Sequence, residues 1–155
     1  MCWLCDHPDR TVDDYLAELR ATISEHGWAV QFVEDADRPF AYTIGLFDRG
    51  LPELLVTGLP PHDSAHLLNW VAAHCVWGLE LVPGDQFADP GGRRLEVVRV
   101  EVPDAHLKFA VAVGGRNVRA LQLVWADARG RWPWETGWST GRRSQPVLGV
   151  RAAAA

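Results

Sequence analysis

The chain has 155 residues, 48% of them hydrophobic, with 20 Asp and Glu against 15 Lys and Arg for a formal net charge of −5. This is the length and apolar content of one folded domain; it excludes a disordered chain and weighs against nucleic acid as a partner. No apolar run approaches the roughly 20 residues that cross a bilayer, and the opening MCWLCDHPDR lacks the basic and apolar regions of a secretory signal. The expectation is a cytoplasmic protein with one domain over residues 1–150 and an Ala-rich tail over 151–155. Three cysteines are too few for a disulfide scaffold, in keeping with a reducing compartment. Charge is uneven: residues 1–90 hold 15 acids and 4 bases, residues 91–155 hold 5 acids and 11 bases. The basic second half could bind an anion, or the two halves simply pack together and attract one another.

In chain order, Thr11 and Asp14 form a capping-box pattern, and Tyr15, Leu16, Leu19 and Ile23 follow at helical spacing before Gly27. The spacing predicts an amphipathic helix over 12–26. Trp28, Val30 and Phe32 alternate with Ala29, Gln31 and Val33, which predicts a strand. PFAYTIGL and ELLVTGL read as two more strands, and the short links favour an antiparallel meander. Pro60 and Pro61 open a second helix, capped near His62 or Asp63, with Leu67, Leu68, Val71 and Cys75 on one face and Gly78 as its stop. LELV reads as a short strand, and residues 83–94 as a turn-rich loop. LEVVRVEV alternates as a strand; AHLKFAVAV is open between helix and strand. ALQLVW is a strand, DARG a turn, and RWPWETGW the return limb of an aromatic hairpin. From Gly141 the chain reads as a polar tail that frays. The sum is an α+β fold, a mainly antiparallel sheet of about six strands packed with two to three helices.

Cys2 and Cys5 sit two residues apart with His7 close behind, and two such thiolates can grip one soft cation. A tetrahedral zinc site needs two further ligands: His7 could be one, and His66, His74, His62 or Cys75 on the second helix could complete it if the N-terminal arm folds onto that helix. The same pair would also serve thiol redox chemistry, or simply pack as small apolar residues. His62 and His66 are spaced i, i+4 and share a helix face. Tyr42 lies on a strand that ends at Gly45, where a ligand can approach the backbone. Trp is the outlier in composition, with eight residues of which Trp125, Trp132, Trp134 and Trp138 fall within fourteen positions. With Arg131 beside them, they would wall a groove for a planar, cationic or peptide ligand.

The segments CWLCDHP, FAYTIGL with PELLVTGLPP, and LQLVWADARGRWPWETGW with QPVLG together resemble the bacterial family known as domain of unknown function 4262. The resemblance covers roughly residues 2–149 and implies a helix over 104–113 before the last strand; it brings no activity and no catalytic residue. The leading expectation is therefore a binding or accessory protein, of the kind an immunity protein exemplifies, that meets a protein or small-molecule ligand through the Trp-rich hairpin. The alternative is a metal- or flavin-dependent enzyme acting on a small molecule, with zinc the first choice of cofactor and flavin the second. Neither nucleic acid nor a membrane is expected as a partner, and a homodimer is compatible with everything above.

Overall fold

The computed structural model describes residues 3–138 and 144–153. After a short helix α1 (Trp3–Asp6), helix α2 runs from Val12 to His26. The Thr11 side chain accepts from Asp14 N–H while the Asp14 carboxylate accepts from Thr11 N–H at 2.8 Å, so the predicted capping box is present. Gly27 ends the helix at φ 95°, a left-handed conformation that suits glycine. Strands β1 (Ala29–Val33), β2 (Phe40–Ile44) and β3 (Glu53–Thr57) form the predicted antiparallel meander, with a 3-10 turn at Leu46–Arg49 between the last two. Helix α3 (Pro61–Val76) follows, then β4 (Gln86–Ala88), β5 (Arg94–Arg99), helices α4 (Pro103–His106) and α5 (Lys108–Gly114), and β6 (Ala120–Trp125). The helix implied over 104–113 is thus broken in two at Leu107.

The strand order is β1-β2-β3-β6-β5-β4. Two antiparallel threesomes are fused where β6 inserts beside β3, and that pair is parallel, with Leu54 opposite Leu121. The sheet is therefore mixed rather than mainly antiparallel, and the described residues hold five helices rather than two to three. The cause lies in the return path. The chain leaves β3 through α3, builds β4 and β5 at the far edge, and comes back into the middle. LELV carries no strand; the edge strand is Gln86–Ala88, inside the stretch that reads as a loop.

Strand alternation separates two cores. On one face Ala41, Leu54, Val56, Leu95, Val97, Leu121 and Leu123 pack under α3 through Leu67, Leu68, Val71 and Ala72. Burying each of those leucines and the valine contributes roughly 1.5–3 kcal/mol. On the other face Tyr42, Ile44 and Leu55 pack under α2, Leu107 and α5. The β5–β6 part of that second face is covered by Val98, Val124, Trp132, Trp134 and Val147.

No strand follows β6 among the described residues, so the expected aromatic hairpin is not formed. Residues 144–151 do not behave as a frayed tail either. They cross the sheet as a strap held mostly by side chains, with one main-chain bond from Glu101 N–H to Leu148 C=O at 3.1 Å. Gln122, buried mid-strand, donates Nε2–H to Pro146 C=O at 2.8 Å and accepts from Leu148 N–H at 2.7 Å. Thr57 Oγ1 also donates to Pro146 C=O, at 2.8 Å. Arg151 closes the strap on Glu96, with contacts of 2.8 and 3.0 Å. No helix among the described residues is long and apolar enough to cross a membrane.

Candidate functional site

On α3 the i, i+4 period places His62, His66, Trp70 and His74 in one stripe, beside the face that packs on the sheet. Across from it stands the hairpin formed by β4 and β5, which offers Phe87 and Arg93. The stripe and the hairpin enclose two cavities that meet at Trp70. The first, of about 350 Å³, is lined by Trp70, His74, Leu79, Leu81 and Phe87. The second, of about 250 Å³, is lined by His62, His66, Trp70, Asp89 and Arg93.

The two ends differ in chemistry. At the apolar end the Trp70 and Phe87 ring centres are 6.3 Å apart, and His74 lies 4.9 Å from Trp70. His74 Nδ1 meets the Trp70 carbonyl at 2.8 Å; a carbonyl can only accept, so Nδ1–H is the donor. At the polar end His62 and His66 stack at 6.3 Å and 22°. Arg93 is set by Asp89, whose Oδ1 accepts from Arg93 N–H at 2.8 Å and whose Oδ2 lies 3.8 Å from the guanidinium. The guanidinium lies 5.9 Å from the centre of the Trp125 ring.

Strand β4 adds a third element. It is the last strand of the sheet and, among the described residues, pairs only with β5, Phe87 facing Leu95. Asp89 N–H donates to Arg93 C=O and Val97 N–H to Asp85 C=O, so the odd residues point their backbone groups at β5. Antiparallel alternation then turns the N–H and C=O of Gln86 and Ala88 outward. Phe87 faces the groove while its neighbours present main-chain donors and acceptors along the rim.

The residues singled out from sequence are dispersed. Tyr42 is fully buried, and its hydroxyl accepts from Phe109 N–H at 3.0 Å, tethering the start of α5 to the sheet. Burial pushes its pKa up. The four late indoles do not wall one groove, because they lie on opposite faces. Trp125 is buried on the α3 face with Trp138 against it at 5.8 Å, and its indole N–H donates to Thr57 C=O at 2.8 Å. Trp132 and Trp134 stack on the other face at 5.5 Å and 10°, between the guanidiniums of Arg94, 5.5 Å from the Trp132 centre, and Arg151, 3.9 Å from the Trp134 centre. Arg131 is engaged with Asp127 at 3.2 Å.

Cys2 lies outside the described residues. Cys5 is exposed on α1, and His7 stacks on Trp3 at 4.4 Å. Trp3 in turn packs on Tyr15 of α2, on the sheet face opposite α3. His66 and His74 therefore stand across the sheet from Cys5 and His7, and the expected ligand set does not converge. Among the described residues no group of three or more His, Cys, Asp or Glu is placed to hold a metal ion.

Two further features escaped sequence reading. Phe87 and Arg93 were hidden in turn chemistry, where QFA between PGD and DPGG was the available signal. Glu53 is a fully buried carboxylate whose oxygens accept from Thr43 Oγ1–H at 2.8 Å, Gly45 N–H at 2.9 Å and Leu46 N–H at 3.1 Å. Burial pushes its pKa up to about 7, against the pull of the Thr43 hydroxyl and the Gly45, Leu46 and Phe47 amides. It anchors the turn after β2 from within.

A family profile described as a domain of unknown function (DUF4262) matches residues 22–139 of the chain. No curated protein and no solved structure matches it significantly.

Proposed function

Because the chain belongs to the DUF4262 family, a domain of unknown function, its role has to be read from its own surface, and we propose that it is a peptide-binding protein whose ligand adds to strand β4. One observation carries this reading: an edge strand whose outer side is unpaired among the described residues runs beside a groove that is apolar at the Trp70–Phe87 end and polar at the His62–His66 end. An extended peptide paired with β4 would gain main-chain hydrogen bonds from Gln86 and Ala88. It would also direct alternate side chains over the α3 face. An apolar side chain suits the cavity at Trp70 and Phe87. The next residue on that side, two positions along, comes within reach of His62, His66 and Arg93, which suits a carboxylate or another hydrogen-bonding group.

This keeps the expected class, a binding protein, and moves its site from the C-terminal tryptophans to α3 and β4. The test is selection of a random displayed peptide library on the purified chain. Each enriched peptide is then re-measured on Ala88→Pro. Proline at Ala88 removes the outward N–H while leaving the bonds to β5 intact, a change edge strands tolerate. Peptides enriched on the wild-type chain should bind Ala88→Pro at least roughly tenfold more weakly, the loss of about one well-placed hydrogen bond. No enrichment, or equal binding to the two proteins, would overturn the reading.

A further inference from the structure

The most solvent-exposed large apolar side chain of the described residues is Trp77, at 89%. It caps the C-terminus of α3, where Gly78 and Leu79 turn the chain away. Exposed indoles of this degree are uncommon in monomers, since the ring is a large apolar surface. Leu79, which lines the neighbouring cavity, is 46% exposed, and Val82 and Val102, each 52% exposed, are next in sequence to residues that line it. The cavity, of about 740 Å³, is larger than either cavity of the α3–β4 groove. Its floor includes Leu54, Cys75 and Leu121, and Gly78 and Leu79 form part of its wall.

Charge marks the same rim. Arg99, Arg116 and Arg119 line the cavity together with Glu80 and Glu101. Arg119 donates to Gly50 C=O at 3.0 Å, whereas Arg99, Arg116, Glu80 and Glu101 make no ion pair among the described residues. The patch thus presents a protruding indole, a recess next to it, and unpaired charges of both signs. A two-fold interface needs such a surface, because each half must be its own complement. A partner of another sequence would need only the matching half of these features.

We propose that the partner on this face is a second copy of the chain, in a two-fold dimer in which Trp77 of each copy enters the cavity of the other. Each cavity is incomplete alone and receives its central apolar group from the partner. The Arg and Glu side chains of the rim then pair across the axis. A Trp anchor seated in a pocket inside a charged rim is the arrangement in which binding energy concentrates. This site is separate from the peptide groove, although Leu79 and Leu81 wall both, so either proposal can fail without the other.

Sedimentation equilibrium of the full chain across a dilution series tests it. The wild-type chain should approach twice its monomer mass of 17.2 kDa. Trp77→Ala, with circular dichroism unchanged, should raise the dimer dissociation constant roughly thirtyfold or more, the effect of truncating a central anchor. Val102→Arg, which alters the patch outside the cavity, should weaken the dimer in the same direction. A wild-type chain that stays at 17.2 kDa at every concentration overturns the proposal. So does a dimer whose dissociation constant is unchanged in Trp77→Ala.

Discussion

Gln145 holds both backbone groups of Trp125 with one side chain: its Oε1 accepts from Trp125 N–H at 2.9 Å and its Nε2 donates to Trp125 C=O at 2.9 Å. The amide does there what a neighbouring strand would do. The ladder between β3 and β6 is registered only from Glu53 to Leu55, and Gln145 serves β6 beyond it. Replacing Gln145 by Leu would leave a buried N–H and a buried C=O without partners. Each orphaned group costs about 1–3 kcal/mol, so a loss of about 2–6 kcal/mol is expected in equilibrium denaturation. A loss below about 1 kcal/mol would mean that water reaches both groups.

The strap also depends on having no side chain at Gly149. A Cβ at that position would lie 1.8 Å from the Arg99 carbonyl oxygen. The obstacle is backbone, so no rotamer change relieves it. Gly149→Ala should lift the strap from β5 and lower the melting temperature, and hydrogen exchange should show lost protection at Leu148. An unchanged melting temperature would contradict the seating of the strap described above.

Two buried carboxylates give the protein opposing pH responses. Burial raises the pKa of Glu96, but the hydrogen bonds from Arg151 and Gln86 and the Arg151 charge outweigh it and hold the carboxyl below its ordinary value. Its contribution is present above about 4.5 and is lost as pH falls through the folded-state value. Glu53 has the opposite sign. With a folded pKa of about 7 against 4.5, it favours the fold below about pH 4.5 and loses that contribution as pH rises to about 7. Its size is up to about 3 kcal/mol. Chemical denaturation of wild type and Glu53→Gln at about pH 5 and about pH 8 separates the two groups. The wild-type chain should be weaker at the higher pH, and the variant should lose most of that difference. An equal slope in both proteins would place the alkaline loss elsewhere.

Sequence reading alone expects Trp132 to be a removable recognition residue. Its burial and its place between Arg94 and Trp134 make it part of the fold. Trp132→Ala should cost about 3–5 kcal/mol, the usual loss for a buried ring. A folded variant with near-native stability would return Trp132 to the list of candidate contact residues.

What the sequence displays well is local. The capping box at Thr11 and Asp14, the alternation from Ala29 to Phe32, and the prolines before α3 each act within a few residues, and each appears where the pattern places it. The site was half visible: His66, Trp70 and His74 emerge from helical spacing, whereas Phe87 opposite them depends on which segment takes the sheet edge. Three features were not legible because they join distant residues. The parallel contact of Leu54 with Leu121 needs the strand order, which no local period encodes. The strap needs Gln122 and Gln145 to replace backbone pairing with side-chain amides. Trp77 follows a helix of strong apolar pattern, and only the path of the chain beyond Gly78 leaves it facing water. Tyr42 illustrates the converse: a strand residue near a glycine suggests access, yet α5 covers it.

The fusion of two threesomes along β3 and β6 has a bearing on how the chain acquires its shape. Strands β1 to β3 associate through short connections, as do β4 and β5, so both groups can form early. The seam between them waits until residues near 53 and 120 meet, and the strap can settle only on a completed seam. A chain caught midway would hold two small sheets with Leu54 and Leu121 still apart, each exposing an unpaired edge. The junction that gives the mature sheet its continuous middle is also the strand pairing that joins residues farthest apart along the chain.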